Sequence, residues 1–154
     1  MSCAAIMTPN PLTLSEDDSV AAAVERLIDS HNTTLPVVDA EGRYAGMFGL
    51  YDLLSLVVPR VALAGNLLAN LRFIGSDPED LRRKFRDVKH RRVGDAADRN
   101  MPTLNPDTPE IEAVRLFCRN HTALAVVERS TGKVVGVVSS RDAIRTLAGE
   151  PIPA

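Results

Sequence analysis

The residues best suited to chemistry stand at two strand-to-helix corners, ninety positions apart. One reads Gly136-Val137-Val138-Ser139-Ser140-Arg141-Asp142, the other Gly46-Met47-Phe48-Gly49-Leu50-Tyr51-Asp52. A strand that runs into a helix N-terminus leaves backbone N–H groups pointing outward, which suits an anion. At the later corner Ser139 adds a hydroxyl and Arg141 a guanidinium, both good phosphate partners. The Asp142 carboxylate is able to accept from two vicinal hydroxyls, as on a ribose. Together they fit a phosphorylated nucleoside. A plainer use stays open: Asp142 and Ser139 also suit the cap of the helix that follows. The recurring Asp at position 52 is compatible with either use.

Catalysis finds no support. Ser139 has no His at a predictable spacing, no Walker-type glycine loop occurs, and no Cys/His spacing suggests zinc.

The elements that position the corners come from a repeat. Leu12-Thr13-Leu14 recurs as Pro102-Thr103-Leu104. Ser19 to His31 has a helical stripe of Val20, Val24, Leu27 and Ile28; Pro109 to His121 repeats it with Ile111, Val114, Phe117 and Cys118. Each helix opens on a capping cluster, Ser15 to Ser19 in one copy and Asn105 to Pro109 in the other. Short β-branched runs then flank the turns at Glu41-Gly42-Arg43 and Ser130-Thr131-Gly132-Lys133, which predicts two hairpins. Each copy therefore reads β-α-β-β-α, an α/β (α+β) unit too small to bury its own sheet, so two copies must share a core. The expected division is repeat 1 over 1–57, a helical insert over 58–92, repeat 2 over 93–148 and a tail over 149–154. Within the insert, Val61 to Phe73 reads as an amphipathic helix. Asp77-Pro78-Glu79-Asp80 reads as a helix start and Leu81 to Lys89 as a short basic helix.

Composition bounds the class. The 154 residues are 45% apolar and 25% charged, with 4% aromatics and a formal charge of −2. The core must be aliphatic, and the molecule as a whole has no electrostatic pull toward nucleic acid or anionic membrane. Two cysteines are too few for a disulfide scaffold, and Met1 to Met7 lack a leader pattern, so a reducing cytoplasm is expected. Asp52, Pro59, Arg60 and Asn66 break the longest apolar-rich stretch, which argues against a membrane span.

The ordered set Ala5-Ile6-Met7-Thr8, Leu35-Pro36-Val37-Val38-Asp39 and Gly-x-x-Ser-x-x-Asp, in a duplicated frame, resembles a pair of cystathionine-β-synthase (CBS) domains, the Bateman module. The resemblance covers about 110 of the 154 residues. It implies two repeats packed sheet to sheet about a pseudo-twofold axis, with clefts between them. It also implies a homodimer that senses AMP, ADP, ATP or S-adenosylmethionine and controls a separate effector. Carried over by position, it puts Asp142 on ribose, Ser139 and Arg141 on phosphate, and Val137 on the base. Asp95, Asn100 and Met101 would line the adenine edge, and Thr122 would reach the ligand. Asp52, Tyr51 and Met47 form a secondary site. Two departures matter. Gly49 removes the hydroxyl and Tyr51 the guanidinium from the first corner. The loss of a charge-assisted hydrogen bond costs roughly 1.5–3 kcal/mol, about ten- to a hundredfold in affinity. The second corner is therefore the expected main site. The first is expected to stand empty or to take an uncharged adenosyl group with Tyr51 stacking on it. In the second copy, Asp95-Ala96-Ala97-Asp98 replaces the usual apolar-Met-Thr pattern, and Ala125 stands where the first copy has Pro36.

Other signals have plainer readings. The basic run of residues 82–92 fits a solvated helix face with Asp80 and Asp87 as partners, and no aromatic platform accompanies it. His31 and His121 fall at equivalent helix C-termini, where an imidazolium is favoured. Cys118 is expected in the core and Cys3 at the chain end. Two alternatives to the sensor remain: a ligand-free dimerisation scaffold, and a nucleic-acid-associated protein using the basic insert.

Overall fold

The computed structural model describes residues 2–58 and 78–149. The predicted helix over 61–73 and the tail beyond 149 lie outside the described residues.

Repeat 1 begins with α1 (Cys3–Ile6), β1 (Thr8–Pro9) and β2 (Leu14–Ser15). Ser19 then caps α2 (Val20–Ser30), its hydroxyl accepting from the Ala22 N–H at 3.1 Å. The hairpin β3 (Thr34–Val38) and β4 (Tyr44–Gly49) leads directly into α3 (Leu50–Val57). Within the insert lies α4 (Pro78–Val88), and after it come α5 (Val93–Ala96) and α6 (Glu110–Asn120). The second hairpin, β5 (Leu124–Val127) and β6 (Val134–Val138), leads into α7 (Ser140–Ala148).

These elements form two three-stranded sheets, ordered β2-β3-β4 and β1-β6-β5. The first matches the β-α-β-β-α reading, with β2 parallel to β3. In the second, the expected strand at Pro102-Thr103-Leu104 shrinks to a bridge between Leu104 and Val126. Its far edge is filled by β1, which pairs Thr8 with Val137 and Pro9 with Gly136.

That pairing is half of a reciprocal exchange. The segment leading into each repeat packs on the other one, bond for bond. Cys3 N–H donates to the Thr108 carbonyl at 2.8 Å, and Val93 N–H to the Asp18 carbonyl at 2.8 Å. Ala4 and Gly94 repeat the match, donating to Pro106 and Glu16 at 2.9 Å each. The cores interlock accordingly. Val93 joins Leu14, Val20, Ala23, Leu27, Leu35, Val37 and Phe48 under the first sheet. Cys3 and Ile6 join Leu104, Ala113, Leu124, Val126 and Val138 under the second. Fully burying an Ile is worth roughly 1.5–3 kcal/mol, so each leader anchors the opposite half.

The exchange corrects several sequence expectations. Cys3 is fully buried and Cys118 exposed, the reverse of what the helical stripe implied. On α6 it is Ala113 that faces inward, with Leu116 packed beside it, while Ile111 stays 76% exposed. On α2, Ala23 takes the place expected for Ile28, which is 66% exposed. Close approach to the sheet selects the small side chain and turns the larger one outward.

Candidate functional site

The β6–α7 corner is built around Asp142, which is only 1% exposed. Its Oδ2 accepts from the Ser139 N–H and the Ser139 hydroxyl, both at 2.7 Å. Its Oδ1 accepts from the Thr8 hydroxyl at 3.1 Å. Ser139 Oγ in turn accepts from the Asp142 N–H at 3.4 Å, which completes a capping box at α7. Among the described residues the buried carboxylate makes no ion pair but has three donors and the positive end of a helix. A carboxylate has about four acceptor sites, so one remains open. Of the two uses left open by the sequence, the structure shows the cap: Asp142 caps its helix, and it also borders a cleft.

The cleft lies between the repeats and has a volume of about 720 Å³, within the range of small-molecule sites. Repeat 2 contributes Val137, the run Ser139 to Asp142, Arg145 and the junction from His121 to Ala123. Repeat 1 contributes the opposite junction, Ser30 to Pro36, and the crossing leader contributes Thr8, Pro9, Pro11 and Leu12. Five residues named from the sequence meet here: Asp142, Ser139, Arg141, Val137 and Thr122.

The other corner differs in more than its missing hydroxyl. Asp52 Oδ2 accepts from the Gly49 N–H at 2.8 Å, the half of the capping box that needs no side chain at 49. A Cβ on Gly49 would lie 2.4 Å from the Thr33 carbonyl oxygen and 2.7 Å from Thr34 Cβ. The Leu50 N–H donates to that same carbonyl at 2.9 Å, so the contact is backbone and fixed. No hydroxyl-bearing residue fits there. Where the second corner has Thr8, the first has Asp98, whose backbone exchanges two hydrogen bonds with Met47. Burial pushes the Asp52 carboxyl above its usual range; the Gly49 N–H opposes this, and the Asp98 charge adds to it. Among the described residues, the buried hydroxyl of Tyr44 nearby has no hydrogen-bond partner. Burial, then Asp98, raises it to about 12. This corner is therefore hostile to further negative charge. Met47 is 2% exposed, and Tyr51 stands out at 79%.

A family model, the CBS domain, matches residues 3–59 and again 93–149. The chain belongs to the CBS domain family. The tandem match agrees with solved CBS pairs. The chain resembles the CBS-pair protein CBSX2 from Arabidopsis thaliana at TM-score 0.77 and 22% identity, over 96% of this chain and 94% of that one. A structure of CBSX2 in complex with AMP matches at TM-score 0.71 and 22% identity, over 96% of both chains. The CBS pair of protein MJ0100, in complex with 5′-methylthioadenosine and S-adenosyl-L-methionine, matches at TM-score 0.65 and 20% identity, over 96% and 99%. Identities this low show the shared fold. No curated protein matches the chain.

Within this CBS pair, Asp95, Asn100 and Met101 do not line the Asp142 cleft. Asp95 pairs with Arg92 at 3.4 Å, Asn100 is exposed, and Met101 packs on the second core. The reason is the exchange: the leader of repeat 2 crosses to the first sheet, so the Asp142 cleft receives the leader of repeat 1. Thr8 is the residue the sequence reading missed. Its signal was the ninety-residue frame, which sets Met7-Thr8 against Ala97-Asp98 and Gly46 against Gly136. Both glycines lie under the crossing leaders. A Cβ on Gly46 would sit 3.0 Å from the Asp98 carbonyl oxygen, and one on Gly136 would overlap the Met7 side chain. The basic α4 is matched by its own acids: Arg82 and Arg86 pair with Glu79, and Arg83 and Lys84 with Asp80. Among the described residues no helix is long and apolar enough to cross a membrane.

Proposed function

We propose that this CBS pair is a non-catalytic regulatory module that binds an adenosyl ligand in the Asp142 cleft and modulates a separate effector. The observation that carries the reading is the inter-repeat cleft itself, where Asp142, Ser139, Arg141, Val137 and Thr122 converge. The AMP, 5′-methylthioadenosine and S-adenosyl-L-methionine held by the CBSX2 and MJ0100 structures supply the ligand class. In this reading ribose hydroxyls bind Asp142 at its open acceptor site, or in place of Thr8. Val137 touches the base, and Ser139 and Arg141 face phosphate. Because both repeats wall the cleft, a ligand that prefers one angle between them shifts the population toward it and changes the surface offered to a partner. Exposed Ile28, Ile111, Ile144 and Leu147 provide apolar helix faces for a homodimer. The module works in a reducing cytoplasm, where Cys118 remains a thiol.

A thermal-shift series with AMP, ADP, ATP and S-adenosylmethionine tests this. A ligand at a hundred times its Kd stabilises by about 2.7 kcal/mol. The shift is expected to vanish in Asp142→Ala and to persist in Asp52→Ala. One observation favours a second reading, a ligand-free dimerisation scaffold: Asp142 is already buried and bonded within the chain. No shift with any adenosyl compound, in a chain that still dimerises, would decide for the scaffold.

A further inference from the structure

Resting on that reading, we infer that the Asp142 cleft selects its adenosyl ligand by phosphate count, taking a nucleoside di- or triphosphate over AMP and refusing S-adenosylmethionine. Four basic side chains rim the cleft: His31, His121, Arg141 and Arg145. None makes an ion pair or a side-chain hydrogen bond within the described chain. Elsewhere arginines hold carboxylates, as Arg43 does Asp39, Arg92 does Asp17 and Arg115 does Glu112. The one carboxylate in the cleft lining, Asp142, is already engaged by Ser139 and Thr8. The rim therefore carries basic side chains with no counter-charge among the described residues.

Its placement is also specific. Arg141 and Arg145 are four residues apart on α7, so their side chains lie on one face, Arg141 at the anion-favouring helix start and Arg145 one turn further along. His31 and His121 end α2 and α6 in left-handed conformation, at φ 56° and 55°. Glycine is the usual residue there. An imidazole at both positions, facing one cleft, is a chemical feature rather than a conformational one. A ribose held at Asp142 leaves a phosphate chain to cross this rim, and each added phosphate meets further guanidinium or imidazole N–H donors. S-adenosylmethionine has no phosphate and brings a net positive charge, its sulfonium and ammonium outweighing one carboxylate, to the same rim, which disfavours it.

Titration calorimetry on the full chain, in magnesium-free buffer, with adenosine, AMP, ADP, ATP and S-adenosylmethionine tests the inference. ATP is expected to bind at least about tenfold more tightly than AMP. Arg145→Gln and a His31→Asn/His121→Asn double variant, chosen because Asn tolerates the left-handed cap, should each cut ATP affinity about tenfold. Both should leave adenosine within about threefold. Equal affinity for AMP and ATP, or S-adenosylmethionine as the tightest ligand, would overturn the selection while leaving the sensor reading standing. An equal loss of adenosine and ATP in the variants would do the same. Absence of binding by every adenosyl compound would overturn both.

Discussion

Asp142 explains why a ligand contact and a helix cap are hard to tell apart in a sequence. One buried carboxylate satisfies a helix terminus from below and faces a cleft from above. Ser139, Arg141 and Asp142 were legible because their chemistry is local, within four positions of one another. Thr8 was not, because its bond to Asp142 spans 134 positions. The double role has a measurable consequence. Asp142→Ala removes a cap and a buried bond to Thr8, and should lower stability by about 1–3 kcal/mol in denaturant melts without ligand. Asp52 predicts the opposite sign. Burial holds its folded-state pKa above 3.8, so its contribution is fully present only below that value and is lost as pH rises through the folded value. Asp52→Asn keeps an acceptor for the Gly49 N–H without the charge. It should raise Tm at pH 7, by something on the order of 2 °C, and the gain should fade as pH drops toward 4. A gain independent of pH would show that charge is not the cause.

At the scale of elements, helices and hairpins were legible from periodicity and turn residues, because those signals lie within a few turns of chain. The swap of leaders was not. A four-residue helix and a two-residue strand carry too little pattern, and their partners lie a full repeat away. The missed strand at Pro102-Thr103-Leu104 and the inverted burial of Cys3 and Cys118 have the same source. The β4–α3 corner offers a direct test. Reading the repeats as equivalent suggests that Gly49→Ser would rebuild the hydroxyl that Ser139 supplies at the other corner. The 2.4 Å approach to the Thr33 carbonyl predicts a strained strand junction instead. Gly49→Ser should lower stability by about 1–3 kcal/mol and create no second nucleotide site. A stable variant that binds two nucleotides per chain would refute the geometry.

For the whole molecule, reciprocal leaders turn two small sheets into one interlocked unit. Neither core is complete without a segment from the other side of the insert, so the described halves should unfold together. Coincident far-UV and near-UV melting curves would show this. Ile6→Ala, made in repeat 1, should destabilise the second core by about 2–5 kcal/mol and still shift one shared transition. Two separate transitions would mean the halves are independent. The same interlock links the cleft to the rest of the molecule, because three of its walls come from different stretches of chain: the leader, the α2–β3 junction and the β6–α7 corner.

The most direct test of the account is the number and location of bound nucleotides. Calorimetric titration of the full chain with ATP, repeated on Asp142→Ala and Asp52→Ala, should give one saturable site per chain that disappears in the first variant and survives in the second. Binding that persists without the Asp142 carboxylate, or depends on Asp52 instead, would contradict it.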